Sequence, residues 1–457
     1  MWYNLQEHDE KERKPCKMKP QKDEYNPQVD LFKIELNRII DPNHPLAKLT
    51  KQMDWSAFDH QFESQFSDEG RPAIATRLMV SLHYIKYTHD LSDEETVAMW
   101  IENPYWQYFS GRQHFEHKLP IDSSSMTRWR KRVGVKGAET LLSQTIKTAK
   151  KQKYLKRTQC QKVNVDTTVQ TKAIRFPTDA RLYDRMREIL VKTAKDENID
   201  LRQSYTRVGK KALRRQQNYG HARQMKRSKK QTRKLKTYLG RVIRDVERKA
   251  NNPSQDLKEQ LNLAKQLMEQ KRNSKNKIYS IHEPHVECIA KGKVHQRYEF
   301  GCKVGFVTSA KGNWILGAKA FTGNPYDGHT LKSSLEQTQE LTQIKVNQAT
   351  CDLGYRGHGI KDTKIHIVPR NKSKASRSVR RWWKRRNAIE PIIGHNKSDH
   401  RLNRNQLAGE LGDQLNATFS ACGFNIKKLL RAFWLWIQNA FISIYETNFQ
   451  RTLFLKV

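Results

Sequence analysis

The fold is decided by the stretch Lys162–Thr171, which reads KVNVDTTVQT. Within it, Val163, Val165 and Thr167 alternate with polar positions, and this period of two predicts a β-strand. Asp166 lies in the middle of that strand. Because a carboxylate is costly to bury unless it is paired or binds a cation, the pattern marks Asp166 as a candidate functional residue.

The sequence after this strand predicts a mixed sheet that is interrupted by a long helical insertion. Residues 179–277 have a helical and very basic pattern. The dipeptide Gly312-Asn313 predicts a β-hairpin. In chain order, the remaining patterns predict strands at residues 286–289, 298–308 and 314–321, a helix at residues 331–341, and buried strands at residues 350–353 and 365–368.

The insertion is predicted to be a helical hairpin with a narrow apolar seam. Apolar residues recur at i, i+4, i+7 and i+11 on two helices, which are separated by turn residues 251–254. The outer faces are basic, since residues 201–250 contain 18 basic residues and two acids. The seam consists of Leu235, Leu239, Val242 and Val246, followed by Leu257, Leu261, Ala264 and Met268.

The chain up to about residue 134 is predicted to be all-helical. Ser92 and Glu95 predict a capping box for a helix at residues 92–101. A further helix begins after Pro120, with Asp122 or Ser123 as its N-cap. An earlier helix is predicted to be amphipathic. Its apolar, inward side consists of Leu78, Leu82 and Ile85, and its opposite side consists of Met79, His83 and Lys86.

The helix after Pro120 is short, amphipathic and basic. Its arginines include Arg128, Arg130 and Arg132. Small helices that end in a basic helix suggest a DNA-binding unit of the helix-turn-helix kind. A packing or dimerisation helix with a solvated charged face explains the pattern equally well.

The charge of the chain indicates a polyanionic partner. Its 457 residues include 86 Lys and Arg against 47 Asp and Glu, a net charge of +39. A compact protein with such self-repulsion normally binds a polyanion, most commonly nucleic acid, although a merely soluble basic protein is the alternative. Residues 31–120 are acidic overall, with 9 basic and 13 acidic residues, so the positive charge is concentrated elsewhere.

The cysteines and apolar segments indicate a cytoplasmic protein. Six cysteines lie far apart without a C-x-x-C pair, which is typical of reduced thiols. Residues 2–20 are polar and lack the apolar core of a signal peptide. Polar residues interrupt the most apolar stretch, residues 429–445, which therefore predicts a buried helix and not a membrane span.

A second candidate acid, Asp352, ends the apolar run Ala349-Thr350-Cys351. Hard cations such as Mg²⁺ prefer carboxylate oxygens, and two such ions can activate the attacking oxygen and stabilise the leaving oxygen at a phosphodiester. Asp166 and Asp352 are therefore candidate metal ligands. On their spacing alone, the capping of turns or helices explains two strand-end acids better.

A third candidate acid, Glu390, lies in residues 381–402. On a helical wheel Trp383, Arg386 and Lys397 share its face, so a lone acid stands among basic groups. Such an acid ionises easily, and its basic neighbours could bind phosphate groups. Pro391 predicts a kink or a helix start at this point. The simpler alternative is a solvated basic helix in which Glu390 only forms i,i+4 ion pairs.

These residues resemble the sequence signatures of bacterial insertion-sequence transposases. Trp383, Arg386, Glu390 and Lys397 resemble the family's Y-(2)-R-(3)-E-(6)-K signature, with tryptophan replacing tyrosine. The runs NVDTT at residues 164–168 and DLGY at residues 352–355 are similar to the family's other two blocks. Three more runs are similar to the insertion-sequence-five family: NPYWQYF at residues 103–109, NPYDGHT at residues 324–330, and GYRGH at residues 354–358.

The resemblance implies a DDE transposase with an RNase H-like catalytic core. Asp166, Asp352 and Glu390 would be its catalytic triad and would bind two Mg²⁺ ions, or Mn²⁺ in their place. Arg386 and Lys397 would hold phosphates of the transposon end, and the aromatic ring of Trp383 would stack. The partners would be double-stranded DNA, as terminal inverted repeats and target, and further copies of the chain in a homodimer or higher homo-oligomer.

The predicted fold class is α/β, an RNase H-like mixed sheet with a long basic helical insertion, preceded by an all-α N-terminal domain. The predicted boundaries are a DNA-binding helical domain at residues 1–135, the catalytic core at residues 136–178 and 279–445, the insertion at residues 179–278, and a tail at residues 446–457.

Several alternatives stay open at this point. Asp327 rivals Asp352, although its Pro-Tyr-Asp-Gly context is more typical of a turn. A catalytically silent relative acting as a repressor would bind DNA ends without cleaving them, and an RNA-associated nuclease would prefer RNA. A zinc site is a further alternative. Its ligands would be His282, His285, Cys288 and His295, but their spacing fits no standard zinc finger.

Overall fold

The computed structural model describes residues 33–63, 73–271, 273–290, 297–369 and 376–454. The polar segment at residues 2–20, Cys16 and His295 lie outside these ranges. In the described part of the chain, Cys160, Cys288, Cys302, Cys351 and Cys422 are free thiols. No helix there is long and apolar enough to cross a membrane.

The N-terminal part is helical, as predicted. Its helices are α1 (Leu36–Ile39), α2 (Pro45–Gln52), α3 (Ser56–Phe62), α4 (Thr76–His89), α5 (Asp93–Glu102), α6 (Pro104–Phe109) and α7 (Ser123–Lys151). The capping box of α5 is confirmed, because Ser92 and Glu95 each accept the other's backbone N–H. Asp122 caps α7, which has a kink at Gly134 next to the predicted domain boundary.

Helix α4 differs from its prediction, because it is buried all round and not on one side only. Its polar residues have partners inside the protein. His83 Nδ1 lies 2.7 Å from the Met79 carbonyl oxygen. Lys86 Nζ donates to Asp93 Oδ1 at 2.7 Å. The sequence could not show that both sides are buried, because α5, α7 and the C-terminal helix cover α4 only in the folded protein.

The described residues after the N-terminal helices contain a mixed sheet of six strands. Strand β1 is antiparallel to β3 and parallel to β5, and β5 is parallel to β6. Strands β2 and β4 both pair with β3 in antiparallel fashion. The strands are β1 (Lys162–Thr171), β2 (Glu287–Ala290), β3 (Tyr298–Ser309), β4 (Ile315–Phe321), β5 (Gln348–Cys351) and β6 (Lys364–Ile367).

Every strand lies where the sequence predicts it, within one or two residues of the predicted bounds. The predicted hairpin turn between β3 and β4 is confirmed, since Gly312 and Asn313 both have positive φ. The remaining helices outside the insertion are α8 (Arg157–Cys160), α13 (Asp327–Thr342), α14 (Arg377–Arg386), α15 (Ile389–Asp399) and α16 (Gly409–Phe454), with a 3₁₀ helix at Leu353–Tyr355.

One apolar core joins the N-terminal helices to the sheet. Its residues run from Leu46 in α2 through Val163 in β1 to Phe433 in α16. Helix α16 packs against α4, α7 and β4, so it links the helical part to the edge of the sheet. It continues to Phe454, beyond residue 446, where the tail was predicted to begin. This core includes Val163 and Val165 of β1 and Ala349 and Cys351 of β5.

The insertion forms a second apolar core of its own. Its helices are α9 (Asp179–Asp196), α10 (Thr206–His221), α11 (Met225–Lys249) and α12 (Gln255–Glu269). The predicted seam of α11 is buried, but α11 packs mainly on α9 and α10, whereas α12 packs mainly on α9. The two-helix hairpin is therefore wrong, and a cluster of four helices takes its place. The periodicity located each apolar face correctly but could not identify which helix covers it.

Candidate active site

Two of the three candidate acids lie side by side on adjacent parallel strands, Asp166 in the middle of β1 and Asp352 directly after the end of β5. In the pairing of β1 with β5, Asn164 lies opposite Thr350. Asp166 and Asp352 each follow two residues later along their strands. The sheet therefore brings together two acids that are far apart in sequence, as the three-block pattern predicted.

The third acid, Glu390, lies in the first turn of α15. Helices α14 and α15 are separate, with a break at Asn387 and Ala388, so the predicted helix start near Pro391 is confirmed. The continuous helical wheel was therefore wrong. Pro391 lies in the first turn of α15, where its missing N–H costs no helical hydrogen bond. Glu390 is 66% exposed, whereas Asp166 is only 13% exposed.

One guanidinium group connects all three acids. Arg386, the last residue of α14, donates from Nη2 to Asp166 Oδ2 at 2.8 Å. The same nitrogen lies 3.6 Å from Asp352 Oδ2, and Nη1 lies 3.5 Å from Glu390 Oε1. The arginine side chain is only 12% exposed. The site is thus a set of three carboxylates gathered around one largely buried cation.

Burial perturbs the pKa of Asp166. Desolvation raises the pKa of its carboxyl group to about 6, and the nearby Asp352 and Glu390 act in the same direction. The positive charge of Arg386 and the backbone N–H of Thr167 oppose this shift. The Thr167 N–H donates to Asp166 Oδ1 at 2.8 Å. A cation that approached Asp166 would therefore gain from neutralising a poorly solvated carboxylate.

Asp352 has two roles, because its two oxygens face different groups. Oδ1 accepts the backbone N–H of Gly354 at 2.9 Å and thereby caps the 3₁₀ helix. Oδ2 faces Arg386. The capping function that spacing alone favoured is therefore present, but it occupies one oxygen and leaves the other directed to the site.

Asp327 borders the same site, although its sequence context suggested a plain turn. It is the first residue of α13, and its Oδ1 accepts bonds from Thr167 Oγ1 and Lys303 Nζ, both at 2.9 Å. A Cβ placed on Gly354 would lie 3.0 Å from an oxygen of Asp327 and 3.1 Å from one of Asp352. Lys303 was not among the predicted site residues, although a lysine inside the apolar strand β3 was a signal in the sequence.

The donor set suits a hard divalent cation. Among the described residues, no three His, Cys, Asp or Glu side chains already lie at metal-binding distances from one another. Instead, Arg386 supplies the positive charge between the three carboxylates. In the same described ranges, Arg386 Nε and the Tyr355 hydroxyl are buried without a hydrogen-bond partner. Mg²⁺ and Mn²⁺ prefer carboxylate oxygens as ligands, and the site supplies three carboxylates.

Trp383 and Lys397, the other predicted DNA-contacting residues of this segment, lie on α14 and α15, respectively. Trp383 is half-buried on α14. Lys397, on α15, places its Nζ 3.7 Å from Glu299 Oε1 on β3 and is 23% exposed. The signature residues therefore stand on two helices and not on one, with Trp383 and Arg386 on α14 and Lys397 on α15.

The N-terminal arginines divide into two groups. Arg128 and Arg132 are exposed on α7. Arg130 is not, because its side chain is 4% exposed and pairs with Asp93 of α5. The structure therefore contradicts the expectation that Arg130 faces DNA. Alternating arginines on a helix point in different directions, and the residue that points inward became the partner of a buried acid.

The zinc alternative gains no support from the described residues. His285 Nε2 lies 3.1 Å from Asp413 Oδ2, and His282 Nε2 accepts a bond from Arg185. Cys288 is a free thiol. The described histidines are therefore engaged with acids and an arginine, and they do not converge on the cysteine.

Comparisons with known proteins agree with a mobile-element origin. The transposase domain family (DUF772) matches residues 34–132. An uncharacterized protein of Rhizobium meliloti, ORF8 in the nfe locus, is 51% identical over 195 residues, which are 43% of this chain and 94% of that protein. No solved structure gives a match.

Proposed function

The chain belongs to the same family as the Rhizobium meliloti protein and carries a transposase domain, and on that premise we propose that it is a DDE transposase of an insertion sequence. It binds the terminal inverted repeats of its element, cleaves DNA there and transfers the freed strand to target DNA. Asp166, Asp352 and Glu390 are the catalytic acids. The observation that carries this proposal is their convergence on one guanidinium group.

The position of each acid in the sheet supports an RNase H-like core. The resemblance to insertion-sequence transposases implies acids on the first strand, after the fourth strand and on a following helix. Asp166 lies on β1, and Glu390 lies on α15. Asp352 follows β5, which is the fourth strand when the short edge strand β2 is set aside.

The protein's own residues bind and orient the reacting groups. Asp166, Asp352 and Glu390 would hold the divalent ions. When bound, such ions polarise the scissile phosphate and lower the pKa of the attacking water or 3′-hydroxyl. Thr167 N–H and Gly354 N–H each occupy one carboxylate oxygen, which fixes the orientation of Asp166 and Asp352. Both hydrogen bonds leave the second oxygen of each acid directed to the site.

Arg386 and Lys397 supply the phosphate-binding charge. The guanidinium of Arg386 has a geometry that matches two phosphate oxygens at once, as well as carboxylates. In the metal-free protein its single positive charge offsets part of the negative charge of the three acids. Once cations occupy the acids, the same group becomes available to a phosphate of the DNA end. Lys397 lies on the following helix, α15, and would supply a second positive charge for phosphate.

The proposal is tested by metal-dependent cleavage of DNA that contains the element's ends. The variants Asp166→Asn, Asp352→Asn and Glu390→Gln each remove one carboxylate charge at nearly constant volume. We expect each to lose at least about 100-fold in cleavage rate with Mg²⁺, since each removes a metal ligand. The matched control is Glu336→Gln, an exposed acid of α13. Wild-type rates in any triad variant would show that the triad is misassigned.

The same assay separates the enzyme from a repressor. A catalytically silent relative would bind the ends without cleaving them at any concentration of Mg²⁺ or Mn²⁺. End binding by the wild-type protein together with the absence of metal-dependent cleavage would therefore favour the repressor and contradict the enzyme. Preferential binding of RNA hairpins over inverted-repeat DNA would contradict both.

A further inference from the structure

A pocket rich in arginine lies on the insertion. It has a volume of about 420 Å³ and is lined by Arg202, Tyr205, Arg241, Arg244, Asp245 and Arg248, among others. Arg241, Arg244 and Arg248 follow one another on α11 at helical spacing, so all three point to the same side. Arg202 reaches the same pocket from the segment before α10.

The single acid of the pocket organises it without neutralising it. Asp245 is buried and accepts the backbone N–H of Arg202 at 2.7 Å. It also pairs with the guanidinium of Arg248. One carboxylate faces four guanidinium groups, so the pocket keeps an excess of positive charge. Clustered arginines repel one another unless an anion lies between them, and their planar donors match phosphate oxygens in pairs.

Tyr205 helps to shape the wall of the pocket beside Arg241. Its φ of 54° is in the left-handed region, which a bulky residue occupies only when its surroundings force it to. In this conformation its ring stacks on Tyr238, with a centroid distance of 4.7 Å and an interplanar angle of 10°. Arg241 Nη1 donates to the Tyr205 hydroxyl at 3.3 Å. The strained tyrosine therefore fixes the direction of an arginine in the pocket.

We propose that this arginine pocket binds the phosphate backbone of double-stranded DNA, at a distinct site from the three acids. The choice of DNA as the partner rests on the proposed function. From Arg241 to Arg248 the helix rises about 10 Å, at about 1.5 Å per residue. The three arginines therefore extend further than a single phosphate group and could contact successive phosphates of one strand. The contacts involve no base edges, so this binding is independent of sequence.

The test compares two triple variants that remove equal charge from the same insertion. The pocket variant is Arg202→Gln, Arg241→Gln and Arg244→Gln. The control is Lys229→Gln, Lys230→Gln and Arg233→Gln, which lie exposed on the opposite end of α11. Binding is measured on the full chain with a duplex that lacks the element's ends, across a series of salt concentrations. Circular dichroism confirms that both variants keep their helices.

We expect the pocket variant to bind the duplex about 10- to 100-fold more weakly than the wild type at about 0.1 M salt. Its slope of log affinity against log salt should decrease by about 2 to 3, because each lost phosphate contact removes about one released counterion. The control variant should change the slope by less than half as much. The milder variant Tyr205→Phe keeps the ring stack but removes the acceptor for Arg241, and should weaken binding several-fold.

Other outcomes overturn the proposal. Equal losses in the two triple variants would mean that diffuse charge, and not the pocket, binds DNA. If inorganic phosphate saturates the pocket while duplex binding does not depend on the arginines, the site is one for a free anion. Tighter binding of duplex RNA than of duplex DNA would assign another partner. Failure of the proposed function is distinguishable from failure of this inference. If the protein is not a transposase, the wild type shows no metal-dependent end cleavage, whatever the result of the duplex-binding comparison.

Discussion

Arg386 is the residue on which the candidate site depends, since its guanidinium group touches all three acids. Three carboxylates in such proximity repel one another, and Asp166 is also largely removed from water. The arginine offsets both costs in the metal-free protein. A residue that the family signature associates with DNA phosphates therefore also serves as the internal counter-ion of the acids.

The first prediction concerns the removal of this counter-ion. Arg386→Gln leaves Asp166 buried without its charge partner, so the metal-free variant should be less stable than the wild type by about 2–4 kcal/mol at pH 7.5. Addition of Mn²⁺ should recover part of this loss, because the cation replaces the guanidinium. Urea unfolding with and without Mn²⁺ measures both effects. Equal stability of variant and wild type in the absence of metal would contradict the role of Arg386.

The residue scale also shows what sequence alone could predict about the site. Asp166, Asp352 and Glu390 were identified because each stands in a recognisable local motif. The bridging by Arg386 was not predictable, because it depends on the distance between helix α14 and strands β1 and β5 after folding. Arg130 was misplaced for a similar reason, since only the packing of α7 against α5 shows that its partner is the buried Asp93.

At the scale of elements, helix α16 approaches α4 so closely that only glycine fits between them. A Cβ on Gly423 would lie 2.2 Å from the carbonyl oxygen of Tyr87. This is a backbone atom, so a substitution must push the two helices apart. The same region contains His400 at the end of α15, whose Nδ1 lies 2.7 Å from that carbonyl oxygen. Helices α4, α15 and α16 therefore meet at the carbonyl group of Tyr87.

The second prediction tests this close approach. Gly423→Ala should lower the free energy of unfolding by about 2–4 kcal/mol, because the helices cannot separate without loss of packing. Gly394→Ala is the control, since a Cβ on Gly394 of α15 meets nothing within 4 Å. The control should be neutral or more stable by up to about 1 kcal/mol, because alanine favours helix. Thermal unfolding compares the two, and similar melting temperatures would refute the close contact.

The third prediction concerns pH and His400. Burial lowers the pKa of its imidazole to about 4, against the opposing effect of the Tyr87 carbonyl. The unfolded chain binds this proton near pH 6.5, so the stabilisation is complete above that pH and is lost as pH falls towards 4. This group alone should remove about 2–3 kcal/mol over that range.

His400→Gln provides the measurement. Glutamine does not titrate and its amide can still donate to the Tyr87 carbonyl, so the variant should lose less stability than the wild type between pH 6.5 and 4. Urea unfolding at several pH values gives both curves. Parallel curves for wild type and variant would exclude His400 as a source of acid sensitivity.

At the scale of the whole molecule, two separate apolar cores divide the chain. One core contains both the N-terminal helices and the sheet, so these parts form a joint body around α16. The other belongs to the insertion. The sequence predicted the insertion from its basic helical composition, but it did not predict that the two other parts share a core. Such sharing depends on contacts between segments that lie hundreds of residues apart.

The fourth prediction uses the distribution of tryptophan. None of the ten tryptophans lies in residues 179–278, so tryptophan fluorescence reports on the main body alone. Leu239 is fully buried in the core of the insertion. Leu239→Ala should shift the unfolding transition seen by far-ultraviolet circular dichroism to lower urea, since it removes about 2–5 kcal/mol from that core. The fluorescence transition should stay in place. Equal shifts of both signals would show one cooperative unit.

The most direct test of the central claim is the Mg²⁺-dependent rate of end cleavage by Asp166→Asn, by Asp352→Asn and by the double variant. If the two acids hold the same catalytic metal, either change alone disables the site, and the double variant should be no slower than the slower single variant. Losses that multiply would mean that the acids act independently, and a single variant with the wild-type rate would contradict the assignment of a shared metal-dependent site.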